Sequence, residues 1–358
     1  MADFSGDFCI EYGDGWCRIN FRCFDTPNAV TIYDSGPSVG LLGPDPSVGP
    51  LSRAAASRQP PQAACQTRAD ADGHWHAENL LIQVRRLCLE LHRLWSFSLA
   101  GSDLHRINQA QCEVEVDPRT ARLIQTMKDL HQTEPKFDFT VGPLSFFWKR
   151  AQGVPPQGQI DEALALVGVE NVQVSGTLVR KAHPGVQVDI GAVAKGYVAD
   201  MIACMLREQG VTCADIDLGG NIYMVGRHPS GRPWRVSVLI PEGLDVEPII
   251  VDVADESVVT SGVYERFVEI DGKRYQHIID PQTGWPADSD FVSATVIAKS
   301  SCVADALATV LLMTGSAGFD AFARRHPDCR LIAITTDGRV LSAPGRAAGY
   351  AGSGCAAR

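Results

Sequence analysis

The sequence is short of positive charge: 32 Lys and Arg stand against 42 Asp and Glu, a formal charge of -10. Polyphosphate backbones and anionic lipid surfaces select basic patches, so neither nucleic acid nor a membrane surface is an expected partner. No run of about 18 apolar residues occurs, so no membrane-inserted helix is expected. The opening residues, MADFSGDFCIEYGDGW, have neither a basic start nor an apolar core. The expectation is therefore a cytoplasmic protein without a secretory signal. The eleven cysteines include no CxxC and no cysteine-histidine set with zinc spacing. Cys88, Cys204, Cys213 and Cys302 stand in apolar contexts and are expected as small buried hydrophobes. GxGxxG and GxxxxGK[ST] are missing, which removes the common dinucleotide and P-loop readings, and Thr260-Ser261-Gly262 is a turn tripeptide rather than a GxSxG nucleophile elbow.

What is present is ample: 358 residues, 45% of them hydrophobic, are enough for a large core. Residues 17–33 predict two strands joined at Asp25-Thr26-Pro27-Asn28. From 34 to 76, Pro, Gly, Ser and Ala dominate without periodicity, which predicts a flexible insertion. Residues 77–94 carry a leucine stripe at helical spacing, and Pro118 opens a second helix after Asp117. The stretch 186–226 predicts strand, small-residue turn, helix, strand and a second glycine turn, Gly219-Gly220. Glycine at 191 and 196 would let a ligand approach the backbone beside Lys195. A hairpin turning at Asp271-Gly272, a strand from Phe291, a helix behind Ser300-Ser301 and a closing hairpin complete the chain. No internal repeat is evident.

Four places have residues suited to chemistry. Asp305 and Thr309 are four apart on one helix, so their oxygens share a face among apolar neighbours. They suit either a hard cation such as Mg2+ or an ordinary hydrogen-bonded pair. His277, at a strand end, is either a general base or a structural histidine. Lys195 suits a phosphate or a carboxylate. Asp138, between two phenylalanines, belongs either to a pocket wall or to a packed core-edge turn.

Six segments then match one family in order: FDFTVGPL at 137–144, VDIGAVAKGY at 188–197, DLGGNIYMVG at 217–226, VTSGVYERF at 259–267, YQHIIDPQTG at 275–284 and VADALATVL at 303–311. The chain resembles the FAD:protein FMN transferases, the ApbE-type flavin transferases, over most of its length. The resemblance implies a single α+β, T-fold-like domain of mixed sheets with packed helices, spanning 1–345 with a disordered tail at 346–358. It implies splitting of FAD at the pyrophosphate, attachment of FMN to a Thr or Ser hydroxyl of an acceptor protein, and release of AMP. It also implies Mg2+ held by the Ala192 carbonyl and the Asp305 and Thr309 side chains, with His277 as base. Asp138, Asp189, Lys195 and Ile278 fall where the family contacts FAD. Two flavin-face positions depart from the family pattern: Phe24-Asp25-Thr26 replaces Met-Gly-Thr, and Phe97 stands for the aromatic before a Ser-Arg-Leu-Asn-like segment, here His105-Arg-Ile-Asn108. Ala308 stands where many members have a second aspartate. An Mg2+-dependent FAD pyrophosphatase and a non-catalytic FAD carrier are the alternative readings.

Overall fold

The computed structural model describes residues 8–13, 15–33, 74–151, 153–263, 267–270 and 272–345. Residues 34–73 of the insertion expected at 34–76, and the tail at 346–358, lie outside the described residues.

The chain opens with β1 (Cys9–Gly13), β2 (Trp16–Cys23) and β3 (Thr26–Tyr33). The β2–β3 turn is Phe24-Asp25, both at positive φ (53° and 60°), so the hairpin is tighter than expected and Pro27 lies inside β3. Helix α1 (His74–Trp95) starts before residue 77, taking the last three positions assigned to the insertion. Then come α2 (Asp103–Gln109), β4 (Glu113–Glu115), α3 (Pro118–Thr133), α4 (Gly142–Arg150), α5 (Gln157–Leu164), β5 (Val172–Ser175) and β6 (Leu178–Lys181). The Asp117 side chain caps α3 and Pro118 opens it, as its sequence predicts.

The second half contains α6 (Ala194–Glu208), β7 (Cys213–Leu218), β8 (Asn221–Gly226), β9 (Trp234–Ser237), β10 (Ile250–Val253) and β11 (Glu256–Gly262). It ends with β12 (Phe267–Ile270), β13 (Lys273–Gln276), β14 (Phe291–Ala298), α7 (Ser301–Arg325), β15 (Arg330–Thr335) and β16 (Val340–Ala343). Nine strands form one open antiparallel sheet in the order β1-β2-β3-β7-β8-β11-β14-β15-β16. Helices α1, α6 and α7 pack against this sheet in an α+β fold, in agreement with the expected class.

Period-two patterning places Ile19, Val30, Ile216, Leu218 and Val296 in the main core, with α1, α6 and α7. The opposite face buries Trp234, Val236 and Val258 under the β9–β10 hairpin. A third cluster, Leu144, Trp148, Ile160, Ile270 and Ile279, joins α4 and α5 to the β12–β13 hairpin. Cys88, Cys213 and Cys302 are buried as expected, whereas Cys204 is half-buried. Helix α7 is long and apolar enough to cross a bilayer, but most of it is buried against β11, β14 and α6.

Helix α7 is fixed at both ends. At its start, Asp200 of α6 accepts from Ser300 Oγ and from the backbone N–H groups of Ser301 and Cys302, at 2.7, 2.7 and 3.0 Å. Helices α6 and α7 cross so closely that a Cβ on Gly196 would lie 2.3 Å from the Ser301 carbonyl oxygen. The helix breaks at Gly315 (φ 67°), where Asp290 accepts from Ser316 N–H at 2.8 Å. At its far end, buried Glu134 accepts from Arg325 and lies 3.0 Å from His326 Nε2.

Gly196→Ala should push the crossing apart and cost about 2 kcal/mol, the usual penalty for overpacking; denaturant unfolding measures it, and an unchanged midpoint would contradict the packing. Burial alone would raise the Glu134 carboxyl, but the hydrogen bonds from His326 and Arg325 outweigh it and hold the group below its ordinary 4.5. Its stabilising contribution is thus complete above that ordinary value and is lost as pH falls through the lower folded value. Glu134→Gln should lower stability at neutral pH and flatten this acid limb in a pH series of unfolding midpoints.

Candidate functional site

The α6–α7 crossing gathers one group of the expected residues. Asp305 is 6% exposed, and its Oδ2 accepts from the Gly196 N–H at 2.9 Å. Burial lifts this carboxyl to about 6, against the pull of the Lys195 ammonium and the Gly196 N–H. One turn along α7, Thr309 Oγ1 donates to the Asp305 carbonyl at 3.3 Å and lies 3.4 Å from Ser261 Oγ on β11. Ala192 lies in the turn entering α6, half-buried. Lys195 belongs to the first turn of α6 rather than to a free loop, and its Nζ donates to the Gly219 carbonyl at 3.4 Å. Gly196 is a glycine for the Ser301 carbonyl, not for a ligand as its sequence suggests.

A second group forms where 137–141 runs beside 187–189. Residues 186–190 are not a strand; a single bridge joins Gln187 to Val141, and Asp189 N–H donates to the Phe139 carbonyl at 2.7 Å. The period-two alternation there is real, with Val186, Val188 and Ile190 all buried. The segment is held extended by a side chain instead of a ladder: Asn108 takes both the N–H and the C=O of Val188, at 2.7 and 3.0 Å. Lys181 adds an ammonium among the carbonyls of Asn108, Pro184 and Val186. Asp138 accepts from the Thr140 N–H and hydroxyl at 2.7 and 2.6 Å, yet burial still raises its carboxyl. Asp189 accepts from Gly191 N–H at 2.8 Å.

The remaining expected residues lie apart from these groups in sequence. His277 is exposed at the exit of β13, and its neighbour Ile278 is buried and accepts from Ala287 N–H at 2.9 Å. Trp148 ties the same loop to α4 through the Gly284 carbonyl at 2.8 Å. Phe97 is exposed and stacks on Phe146 of α4 at 3.9 Å. Phe24 sits in the β2–β3 turn, edge-on to His92 at 5.6 Å. That turn leads into Thr26, which is packed against Gly219 and so borders the acceptor of Lys195.

The roles of Asp200, Asn221, Asn108, Lys181 and Ser261 escape a sequence reading, although Asn108, Asn221 and Ser261 lie within segments that carry the resemblance, and Asp200 is a carboxylate between Ala199 and Met201 within an apolar helical stretch.

A divalent ion fits the crossing on the chemistry of its donors. A buried carboxylate and a hydroxyl one turn apart offer hard oxygen ligands, and a cation would keep Asp305 ionised. Among the described residues no three His, Cys, Asp or Glu side chains gather as a metal cluster. The set therefore suits an ion that completes its shell with water and a phosphate ligand.

The chain is similar to known proteins. The model of the ApbE family matches residues 45–333. The FAD:protein FMN transferase of Vibrio cholerae is 32% identical over 271 residues, 73% of this chain and 81% of that protein. That of Klebsiella pneumoniae is 34% identical over 282 residues, 76% of this chain and 87% of its own. A histidine-to-glycine variant of the flavin transferase ApbE from Vibrio cholerae superposes with a TM-score of 0.71 at 27% identity, over 93% of this chain and 98% of that one. The apo flavinyl transferase ApbE of Pseudomonas stutzeri shares the fold, with a TM-score of 0.71 at 24% identity over 95% of each chain. By the family match and these identities, the chain belongs to the ApbE family.

Proposed function

We propose that this protein is an FAD:protein FMN transferase. An acceptor hydroxyl on a Ser or Thr attacks the FMN phosphorus of FAD. The P–O–P bond breaks, AMP leaves with the bridging oxygen, and FMN remains on the protein as a phosphoester. The observation that carries this reading is the pairing of Asp305 with Thr309 beside Lys195 at the α6–α7 crossing, in a chain whose relatives bear that activity.

Ala192, Asp305 and Thr309 would hold Mg2+. When bound, that ion neutralises charge on the pyrophosphate and on departing AMP. Lys195 supplies a fixed positive charge beside the same oxygens. Asp138 and Asp189, on paired segments, offer acceptors to the polar edge of a bound flavin nucleotide, with Ile278 as an apolar contact. Phe97 and Phe24 provide ring surface toward the flavin. His277 takes the proton of the acceptor hydroxyl. Its exposure suits this role, because the acceptor is a macromolecule that must reach the base from outside. The described residues act as one transferase domain within 1–345.

His277→Ala should leave FAD binding intact and slow labelling of an acceptor domain by at least about 100-fold, the scale of general-base catalysis. Fluorescent-gel labelling read beside AMP release measures this; undiminished labelling would remove His277 as the base. AMP with free FMN and no labelled acceptor would instead mark a pyrophosphatase. Chelation of divalent ions, or Asp305→Asn, should abolish transfer by a folded protein, and re-added Mg2+ should rescue only the chelated wild type. Transfer that persists in Asp305→Asn would refute the metal assignment.

A further inference from the structure

Asn221 opens β8 and is completely buried. Its Oδ1 accepts from Ser301 Oγ at 2.7 Å, and Ser301 Oγ in turn lies 2.8 Å from Ser257 Oγ. With Oδ1 committed to that hydroxyl, the planar amide must direct Nδ2 to its other side. Ser301 and Asp305 are four residues apart on α7, so they lie one turn apart on the same face. The Nδ2 side therefore faces Asp305. Nδ2 is a buried donor without a hydrogen bond of normal geometry. A buried donor left in that state is costly unless a function retains it.

We propose that Asn221 is a positioning residue for Asp305, its amide N–H holding the carboxylate in the orientation a divalent cation needs. Ser301 and Ser257 set the amide, so the hydroxyl pair acts on Asp305 only through Asn221. This rests on the reading of Asp305 as a cation ligand. It gives a role to Asn221, which lies within the 217–226 motif but to which neither that motif nor the acid-hydroxyl pair assigns one. Partners that orient a metal-binding side chain commonly change affinity by 10–100-fold when removed.

The test is Mn2+ binding followed by electron paramagnetic resonance, with FAD present and acceptor protein absent. Asn221→Leu keeps the volume and removes the donor; its Mn2+ affinity should fall about tenfold, while FAD binding without metal stays at the wild-type level. A lowered melting temperature with wild-type Mn2+ affinity would show a packing role only and overturn the proposal. Asp305→Asn sets the baseline. If it binds Mn2+ like wild type, the cation reading fails, and this proposal with it. If it loses Mn2+ while Asn221→Leu does not, the role of Asn221 alone fails. Should Asn221→Leu not fold, Ser301→Ala frees the amide with little change in volume. A smaller weakening in the same direction is then expected, and unchanged affinity would overturn the proposal.

Discussion

Two helices cap one another across a contact that has no room for a side chain. Asp305 of α7 takes the Gly196 N–H of α6, and Asp200 of α6 takes the Ser301 and Cys302 N–H groups of α7. Each carboxylate therefore satisfies backbone donors that the first turn of the other helix leaves without partners. Each also sits at the positive end of the helix it caps. The glycine at the crossing sets the distance, and the carboxylates set the register. A slide of α7 by one residue would break these bonds together. The cost is burial: both carboxyl groups are pushed upward by desolvation, Asp305 to about 6. A positive ion at the crossing would offset that burden, so structural constraint and proposed chemistry act on the same oxygen atoms.

The rest of α7 protects this register. A straight helix of this length would carry motion at either end into Asp305. The left-handed Gly315 breaks it, and Asp290 caps the segment that follows. Beyond the break, Glu134 anchors Arg325 and His326 to the end of α3. The stretch bearing Asp305 and Thr309 is thus bounded by fixed points, on a scaffold of sheet and helix rather than a loop. Such support is what a site needing ångström-level placement requires.

How far this was legible follows from the range of each interaction. The N-cap at Asp117, the hairpins β12–β13 and β15–β16, and the start of α7 behind Ser300 depend on neighbours in the chain, and local patterns carried them. Asp305 and Thr309 could be paired because helical spacing puts both on one face. Residues 186–190 were misjudged as a strand because alternation reports burial on one side, and Asn108 extends the chain there without a ladder. The first turn was misplaced because Pro27 resembles a turn residue, yet two positive-φ residues before it make the tighter turn. Gly196 was legible as a close approach, but not what approaches. Asp200 and Asn221 act on Ser301, 101 and 80 positions away, and no pattern in one sequence joins such pairs.

The contrast between the two ends of the proposed reaction gives it direction. Asp305 is enclosed by α6, α7 and β8, whereas His277 is exposed at the end of a short hairpin anchored through Ile278 and Gly284. A charge-bearing leaving group benefits from an enclosed, low-dielectric setting, where fixed donors act strongly. An acceptor carried on another protein would need the opposite: a base reachable from outside that keeps its position. The hairpin meets both demands, since its exposed His277 is followed at once by a buried Ile278 whose carbonyl is bonded to Ala287. Under the proposed reaction the same openness would admit water, so transfer would outpace hydrolysis only where acceptor docking excludes water from His277; the choice between protein labelling and FAD cleavage would then lie with the partner.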